Sequence, residues 1–243
     1  MTLPISQVPH LLDYADLDRA VRIAARTLAR AGLAHAYGHC SARIDDGHFL
    51  VCAARPMGLL GVGERGTVVP IDGPLPDGVL GEVRLHQQIY RRRRDIGAVA
   101  RTMPPKTMSL SALRRTPRAL HGPGTYFAPG VPLWDDPQLI RSDDQASAVI
   151  DTMGENPAVV MRGNGAVVAA DTLDAMVALT WYLEDAARID LDVLALEATS
   201  PATVLSEAEC LARATRSGRI IERMWEYLSA GDPELASTDH SAR

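Results

Sequence analysis

Glu82 stands in the first turn of a segment with helical periodicity, and Arg101 lies near the end of a short apolar run. A carboxylate can take up and return a proton. A guanidinium, charged at every accessible pH, can hold a carboxylate or a developing oxyanion. If the two share a cleft, the ion pair makes Glu82 a weaker base; if Glu82 faces an apolar wall such as Leu80 and Met103, it becomes a stronger one. The residues leave both arrangements open. They equally allow Glu82 only to complement its helix dipole and Arg101 only to form a structural salt bridge. Of the seven histidines, His35 and His39 alone are four apart. That spacing binds metal on a helix, but Gly38 and the strand that follows argue against a helix there. His39 can donate to a substrate oxygen, His86 falls on the core side of its helix, and His121 lies in a Pro-rich stretch. Cys40, Cys52 and Cys210 form no CxxC and have no base beside them in sequence, which argues against redox and nucleophilic roles.

The elements that must position these residues follow from periodicity. Residues 15–32 carry Leu17, Val21, Ala24 and Leu28 at helical spacing and stop at Gly32. Strands are expected around Ser41–Ile44 and His48–Cys52, joined by Asp45-Asp46-Gly47, then at Thr67–Ile71 after a Gly-rich loop. A helix over Glu82–Arg93 leads to a strand over Ile96–Thr102. A further helix is expected over 106–115. Residues 116–137 hold five prolines and three glycines and read as irregular; their Tyr126, Phe127 and Trp134 are candidate pocket walls, although aromatics in long loops more often serve packing. A helix over Asp143–Met153, strands at Pro157–Met161 and Ala166–Ala169, and a long helix from Leu173 to about Glu197 follow, the last capped by Asp171 or Thr172. One last helix is expected over Ser206–Glu226. This order predicts an α/β fold in which a mixed central β-sheet is flanked by helices, as one domain over residues 1–229 with a flexible C-terminal tail over 230–243.

The net charge of −5 argues against nucleic acid or an anionic membrane surface as partner. The run Arg91–Arg94 ends a helix and reads as a solvated terminus. No apolar stretch reaches the length of a membrane span, and the cysteine usage fits a reduced compartment, so a cytoplasmic location is expected.

Several segments, in order, resemble the class II aldolase/adducin family. Gly38-His39-Cys40-Ser41-Ala42-Arg43 is similar to that family's Gly-Asn-x-Ser-x-Arg stretch, with His39 replacing Asn. Gly81-Glu82 with His86 and Ile89-Tyr90 resembles its Ser-Ser-Glu-x-x-x-His-x-x-Ile-Tyr helix start. Asp95-Ile96-Gly97-Ala98-Val99 resembles the strand before its His-x-His pair. Val160-Met161-Arg162-Gly163-Asn164-Gly165 resembles its Leu-Arg-x-His-Gly turn. The long helix with Ala175, Glu184 and Ala187 matches the segment that follows.

The resemblance implies a class II aldolase-like layered (α/β/α) domain. In the family, three histidines bind a divalent metal, usually zinc, and an acidic residue near Ser-Ser-Glu shuttles a proton. Read onto this chain, the pair becomes Arg101-Thr102-Met103 and the third ligand becomes Asn164, so no metal and no cofactor are expected: a guanidinium repels the ion, and thioether and amide are weak ligands for it. The positions that grip sugar phosphate become His39, Ala54, Arg55, Leu80 and Gly81, which argues against a phosphorylated substrate. The resemblance places Glu82 and Arg101 as catalytic residues and His39, Arg55, Met103 and Asn164 as substrate-binding residues. The expected function is a metal-independent lyase (decarboxylation, retro-aldol cleavage, dehydration or cyclisation) on a non-phosphorylated small molecule, with specialised metabolism as one setting; a non-catalytic adducin-like assembly module is the alternative. A homotetramer is implied, with Arg219, Arg223 or Tyr227 within reach of a neighbour's site.

Overall fold

The structure, a computed structural model, describes residues 14–197 and 199–235. Seven strands form one sheet in the order β3-β2-β1-β4-β7-β6-β5: β1 (His39–Arg43), β2 (His48–Val51), β3 (Thr67–Pro70), β4 (Ala98–Thr102), β5 (Leu133–Trp134), β6 (Ala158–Met161) and β7 (Ala166–Ala170). All neighbours are antiparallel except β5 and β6. The edge position of β3 accommodates Pro70, which lacks a donor for a further ladder. The mixed sheet flanked by helices is the expected architecture.

Period-two alternation divides the core into two layers. Ala98 and Ala100 of β4, Ala166, Val168 and Ala170 of β7 and Cys40 and Ala42 of β1 face α1 (Ala15–Arg30) and α5 (Leu173–Leu194). Val99, Val167, Ala169 and Val159 face the other side, where α2 (Arg84–Arg92) and α4 (Asp143–Met153) pack with Leu85, Ile89, Val149 and Met153. The same alternation sends His39, Ser41 and Arg101 toward the α2 side. His39 and Arg101 are direct cross-strand partners.

Local chemistry sets several boundaries. A capping box starts α4: Ser142 Oγ accepts from the Gln145 backbone N–H and Gln145 returns the bond. Thr172 caps α5 through the Ala175 N–H. Glu184, from the middle of α5, accepts from the backbone N–H groups of Lys106 and Thr107 and so caps α3 (Pro105–Ala112) as the chain leaves β4.

Two expectations are corrected. The last helix is two: α6 (Glu207–Arg213) and α7 (Ile220–Ser229). Between them Gly218 and Arg219 adopt left-handed backbone (φ 74° and 57°), and the Thr215 carbonyl accepts from the Tyr126 hydroxyl. The pattern looks continuous because apolar residues resume in phase after the break. The expected tail also does not begin at residue 230. Asp232 and Glu234 are buried against α1, where Arg26 reaches both carboxylates at 2.7 Å and Arg22 reaches Glu234 at 2.7 Å. Buried guanidinium groups require such counter-charges, and a local reading of the sequence cannot see partners about two hundred residues away. Residues 236–243 of that tail lie outside the described residues.

Burial alone would raise the Glu234 carboxyl, but hydrogen bonds from Arg22 and Arg26 overcome it and hold it to about 2. The unfolded chain therefore binds more protons in this range, and the stabilisation is present above the ordinary value and lost as pH falls through about 2. Glu234→Gln is expected to cost about 3 kcal/mol at neutral pH in urea unfolding. The gap from wild type should close as pH is lowered from about 4.5 toward about 2. A gap independent of pH would show that the carboxylate charge is not what holds the segment.

Candidate active site

Arg101, at the end of β4, is 2% exposed and lies on the wall of a cavity of about 780 Å³. Its Nε is 2.9 Å from Glu82 Oε2. That N–H is not aimed at the oxygen and makes no directed hydrogen bond, so the contact is coulombic. Its Nη2 donates to Asn164 Oδ1 at 2.7 Å. Burial lowers the Arg101 pKa and the Glu82 charge opposes the shift. Of the two arrangements open in the sequence, the structure takes the shared cleft.

Each partner is delivered by an identifiable local feature. Glu82 sits in a 3₁₀ turn, Gly81–Val83, that runs into α2. Its second oxygen accepts from the Ile140 N–H at 3.2 Å, tying the segment before α4 to the site. Asn164 occupies the turn between β6 and β7. The left-handed positions of that turn are taken by Gly163 and Gly165 (φ 67° and 82°), so Asn164 is not there merely to adopt that conformation. A Cβ on Gly165 would meet the Thr102 carbonyl oxygen at 2.0 Å. Glycine therefore lets the turn close onto β4 and brings the amide to Arg101.

The six predicted site residues all line this one cavity. His39 is 3% exposed, with Nε2 unpartnered. Burial, then His86, then Arg101 push its pKa well below the usual histidine range, so the ring is neutral at pH 7. Asn164 Nδ2 is likewise buried and unpartnered. Arg55 lines the mouth, but Glu64 takes its charge, with Nη1 bonded to both carboxylate oxygens. Met103 adds an apolar wall. His86 is the satisfied core histidine expected, with both ring nitrogens bonded inside the protein. His121 pairs with Asp185 away from the cavity.

Of the two readings of Tyr126, Phe127 and Trp134, the structure takes packing: none lines the cavity, the first two pack in the core layer beside α5 and Trp134 packs against the α4 side. The aromatic at the mouth is Tyr37. Arg84, Leu139, Ile140 and Arg141 also line it and were not anticipated. Arg84 follows Glu82 by two residues and pairs with Asp143 at 2.5 Å. The Arg141 guanidinium makes no hydrogen bond or ion pair among the described residues. Only its place just before the capping box of α4 marks it in sequence, and nothing local shows which cavity that helix start faces.

Arg101, Met103 and Asn164 occupy the positions where the resemblance puts metal ligands. Guanidinium, thioether and amide do not fit a divalent cation. Among the described residues, no three His, Cys, Asp or Glu side chains are grouped to hold one.

The family described as Class II Aldolase and Adducin N-terminal domain matches residues 19–191. This chain belongs to that family. It is 31% identical to a 3,4-dihydroxyphthalate decarboxylase of Arthrobacter keyseri over 205 residues, covering 75% of this chain and 80% of the relative. Its fold matches l-fuculose-1-phosphate aldolase from Thermus thermophilus with a TM-score of 0.68, 26% identity, and coverage of 78% and 100% of the two chains. It matches an aldolase II superfamily protein from Pseudomonas syringae with a TM-score of 0.75, 19% identity, and coverage of 92% and 93%. An assembly module without chemistry would fill its pocket with side chains, whereas here the cavity is open around Glu82, Arg101 and Asn164. The chain is a lyase-like enzyme on a class II aldolase scaffold. Among the described residues, no helix is long and apolar enough to cross a membrane.

Gly165→Ala tests the turn. It should destabilise the fold by more than about 1 kcal/mol and weaken binding of anionic ligands, because Asn164 and Arg101 separate. Wild-type stability in urea would show that the β6–β7 turn does not need its close approach to β4.

Proposed function

We propose that this enzyme decarboxylates small, non-phosphorylated carboxylates that carry a hydroxyl conjugated to the carbon losing CO2, aromatic hydroxy-acids foremost, without a metal ion. The observation that carries this reading is the buried Arg101–Glu82 pair on the cavity wall, a fixed cation beside a carboxylate. Breaking the bond to CO2 leaves an electron pair on carbon, which is tolerable only if it is delocalised onto an oxygen whose charge the site holds. Glu82 takes the hydroxyl proton and returns it to the carbon bearing the carboxylate. The carbon–carbon bond then breaks, its electrons flow back to the oxygen beside Arg101, and CO2 leaves. The oxygen finally takes a proton from solvent, so one proton is consumed per turnover.

The lining supports a carboxylate in preference to a phosphate ester. Ala54, Pro56 and Leu80 offer no hydroxyl, and four guanidinium groups, Arg55, Arg84, Arg101 and Arg141, surround the space. Arg141 is free to meet a second carboxylate at the mouth. The dihydroxyphthalate named for the Arthrobacter keyseri relative is a hydroxylated aromatic dicarboxylate, the chemical class that this lining suits.

Purified protein should release CO2 from hydroxylated aromatic mono- or dicarboxylates, before and after exhaustive chelation. Turnover that appears only on restoring a divalent metal, or cleavage of sugar phosphates without CO2, would overturn the reading. Glu82→Gln is expected to lower kcat about 100-fold or more with a native circular dichroism spectrum; unchanged kcat would remove Glu82 from the chemistry. Assembly as a homotetramer, which the family resemblance implies, belongs to the same reading. Sedimentation equilibrium that reads a monomer would remove it.

A further inference from the structure

The side of β1 that faces α2 carries a line of polar groups in an otherwise apolar layer. Ser41 and His39 alternate along β1, and His86 and Tyr90 stand one turn apart on α2. Tyr90 Oη lies 2.9 Å from Ser41 Oγ, Ser41 Oγ lies 2.6 Å from His86 Nδ1, and His86 Nε2 lies 2.8 Å from His39 Nδ1. Ser41, His86 and Tyr90 are sealed from solvent and His39 nearly so. The line ends at His39 Nε2, which has no protein partner and belongs to the cavity wall.

Counting hydrogens orients the line. Burial, then the Arg101 charge, push His86 down to about 3, and His39 is also held neutral, so each ring carries one N–H. Burial raises the Tyr90 hydroxyl, so it keeps its proton. Four groups supply four hydrogens to three internal bonds, which leaves one over. If the bonds ran away from the cavity, the Tyr90 hydroxyl would need an acceptor other than Ser41, and it has none among the described residues. If they run toward the cavity, the three internal bonds are all made and the Tyr90 hydroxyl has its acceptor: Tyr90 donates to Ser41, Ser41 to His86 Nδ1, and His86 Nε2–H to His39 Nδ1. The spare hydrogen is then on His39 Nε2. Asn164 is oriented by the same logic, because Oδ1 must face the donor-only guanidinium and Nδ2 is left over.

We propose that Tyr90, Ser41 and His86 are positioning residues that lock His39 as an Nε2–H donor, and that His39, Arg101 and Asn164 form a three-donor cradle for one oxyanionic group of the substrate. Three residues that line the cavity each keep a buried nitrogen without a directed hydrogen bond, His39 Nε2, Arg101 Nε (beside Glu82 in the ion pair) and Asn164 Nδ2, and all three nitrogens are donors. A buried donor without an acceptor is costly, and a carboxylate or enolate-type oxygen relieves all three together. Because His39 and Arg101 are cross-strand partners, the donors are set by sheet register and need not move to meet charge. In the decarboxylation proposed above, the cradle holds the oxygen that gains charge. The cradle rests on that reading only for its place in the reaction and on the geometry for its existence.

Nitrogen-15 NMR of histidine-labelled full-length protein, with assignment by His39→Asn and with phthalate as probe, separates the two claims. The ionisable groups around His39 are His86 from α2, Arg101 from β4, Glu82 before α2 and Cys52 after β2. Among these the ring should stay neutral and Nε2-protonated from about pH 5 to about pH 8, and its Nε2–H resonance should shift on adding phthalate. Titration of His39 in that range, an Nδ1–H tautomer, or no response to phthalate overturns the cradle whether or not CO2 is released. A locked tautomer that responds to phthalate, in a protein that releases no CO2 from any substrate, leaves the cradle standing and fails the reaction alone. Ser41→Ala should restore tautomer exchange at His39 and lower kcat about tenfold with less effect on KM; an unchanged tautomer and kcat would show that the line does not position His39. His39→Phe should lose about 100-fold in kcat/KM, whereas His39→Asn, which keeps an amide donor, should recover most of it. Equal losses in the two variants would contradict the donor role.

Discussion

A guanidinium cannot shed its charge, so a buried one obliges the fold around it to supply counter-charge and acceptors. Arg101 imposes that obligation at the centre of this molecule. Glu82 provides the charge and Asn164 the acceptor. The antiparallel register puts His39 opposite it, and Gly165 lets the β6–β7 turn come close enough for the amide to reach. The Ile140 N–H holds the other Glu82 oxygen and so fixes the carboxylate from the far side. The cavity is thus framed by the elements that satisfy this one charge.

The arginines of α1 meet the same obligation differently. Arg22 and Arg26 are enclosed by Asp18, Asp232 and Glu234, with their donors directed at carboxylates or backbone carbonyls. Nothing there faces an open space, and the cluster serves to hold the C-terminal segment on the first helix. At Arg101 the satisfaction is partial, and the donors without a directed hydrogen bond belong to residues that line the cavity. Complete pairing marks a structural charge; incomplete pairing beside an opening marks one that awaits a ligand.

Family membership and the metal-free reaction proposed above meet at the same residue. In that reading, the Arg101 side chain stands where the resemblance puts a metal ligand and supplies the positive charge, with Asn164 and His39 beside it. A guanidinium cannot act as a Lewis acid, but in the proposed reaction it would stabilise negative charge at a position set by the sheet. Arg101 is itself 2% exposed, so its charge is less screened than one at the surface, and Leu80, Met103 and Leu139 add apolar lining to the same cavity.

The sequence by itself determined the alternating strands, most of the helices, the family, and six of the residues that line the cavity, because periodicity and short motifs are local and Glu82, Arg101 and Asn164 each sit inside one. It also held the substitutions that argue against a metal. Only the tertiary structure decided that Glu82 pairs with Arg101, that Asn164 turns its oxygen to the guanidinium, and that Arg141 reaches the cavity. It alone revealed the line from Tyr90 to His39 and the docking of Asp232 and Glu234 on α1. It split the last helix at Gly218 and Arg219, where the apolar pattern gave no sign of a break. The reason is common to all of these: each depends on the distance and direction between groups far apart in the chain, and a hydrogen bond or a buried ion pair is settled by that geometry, which residue type and spacing do not carry.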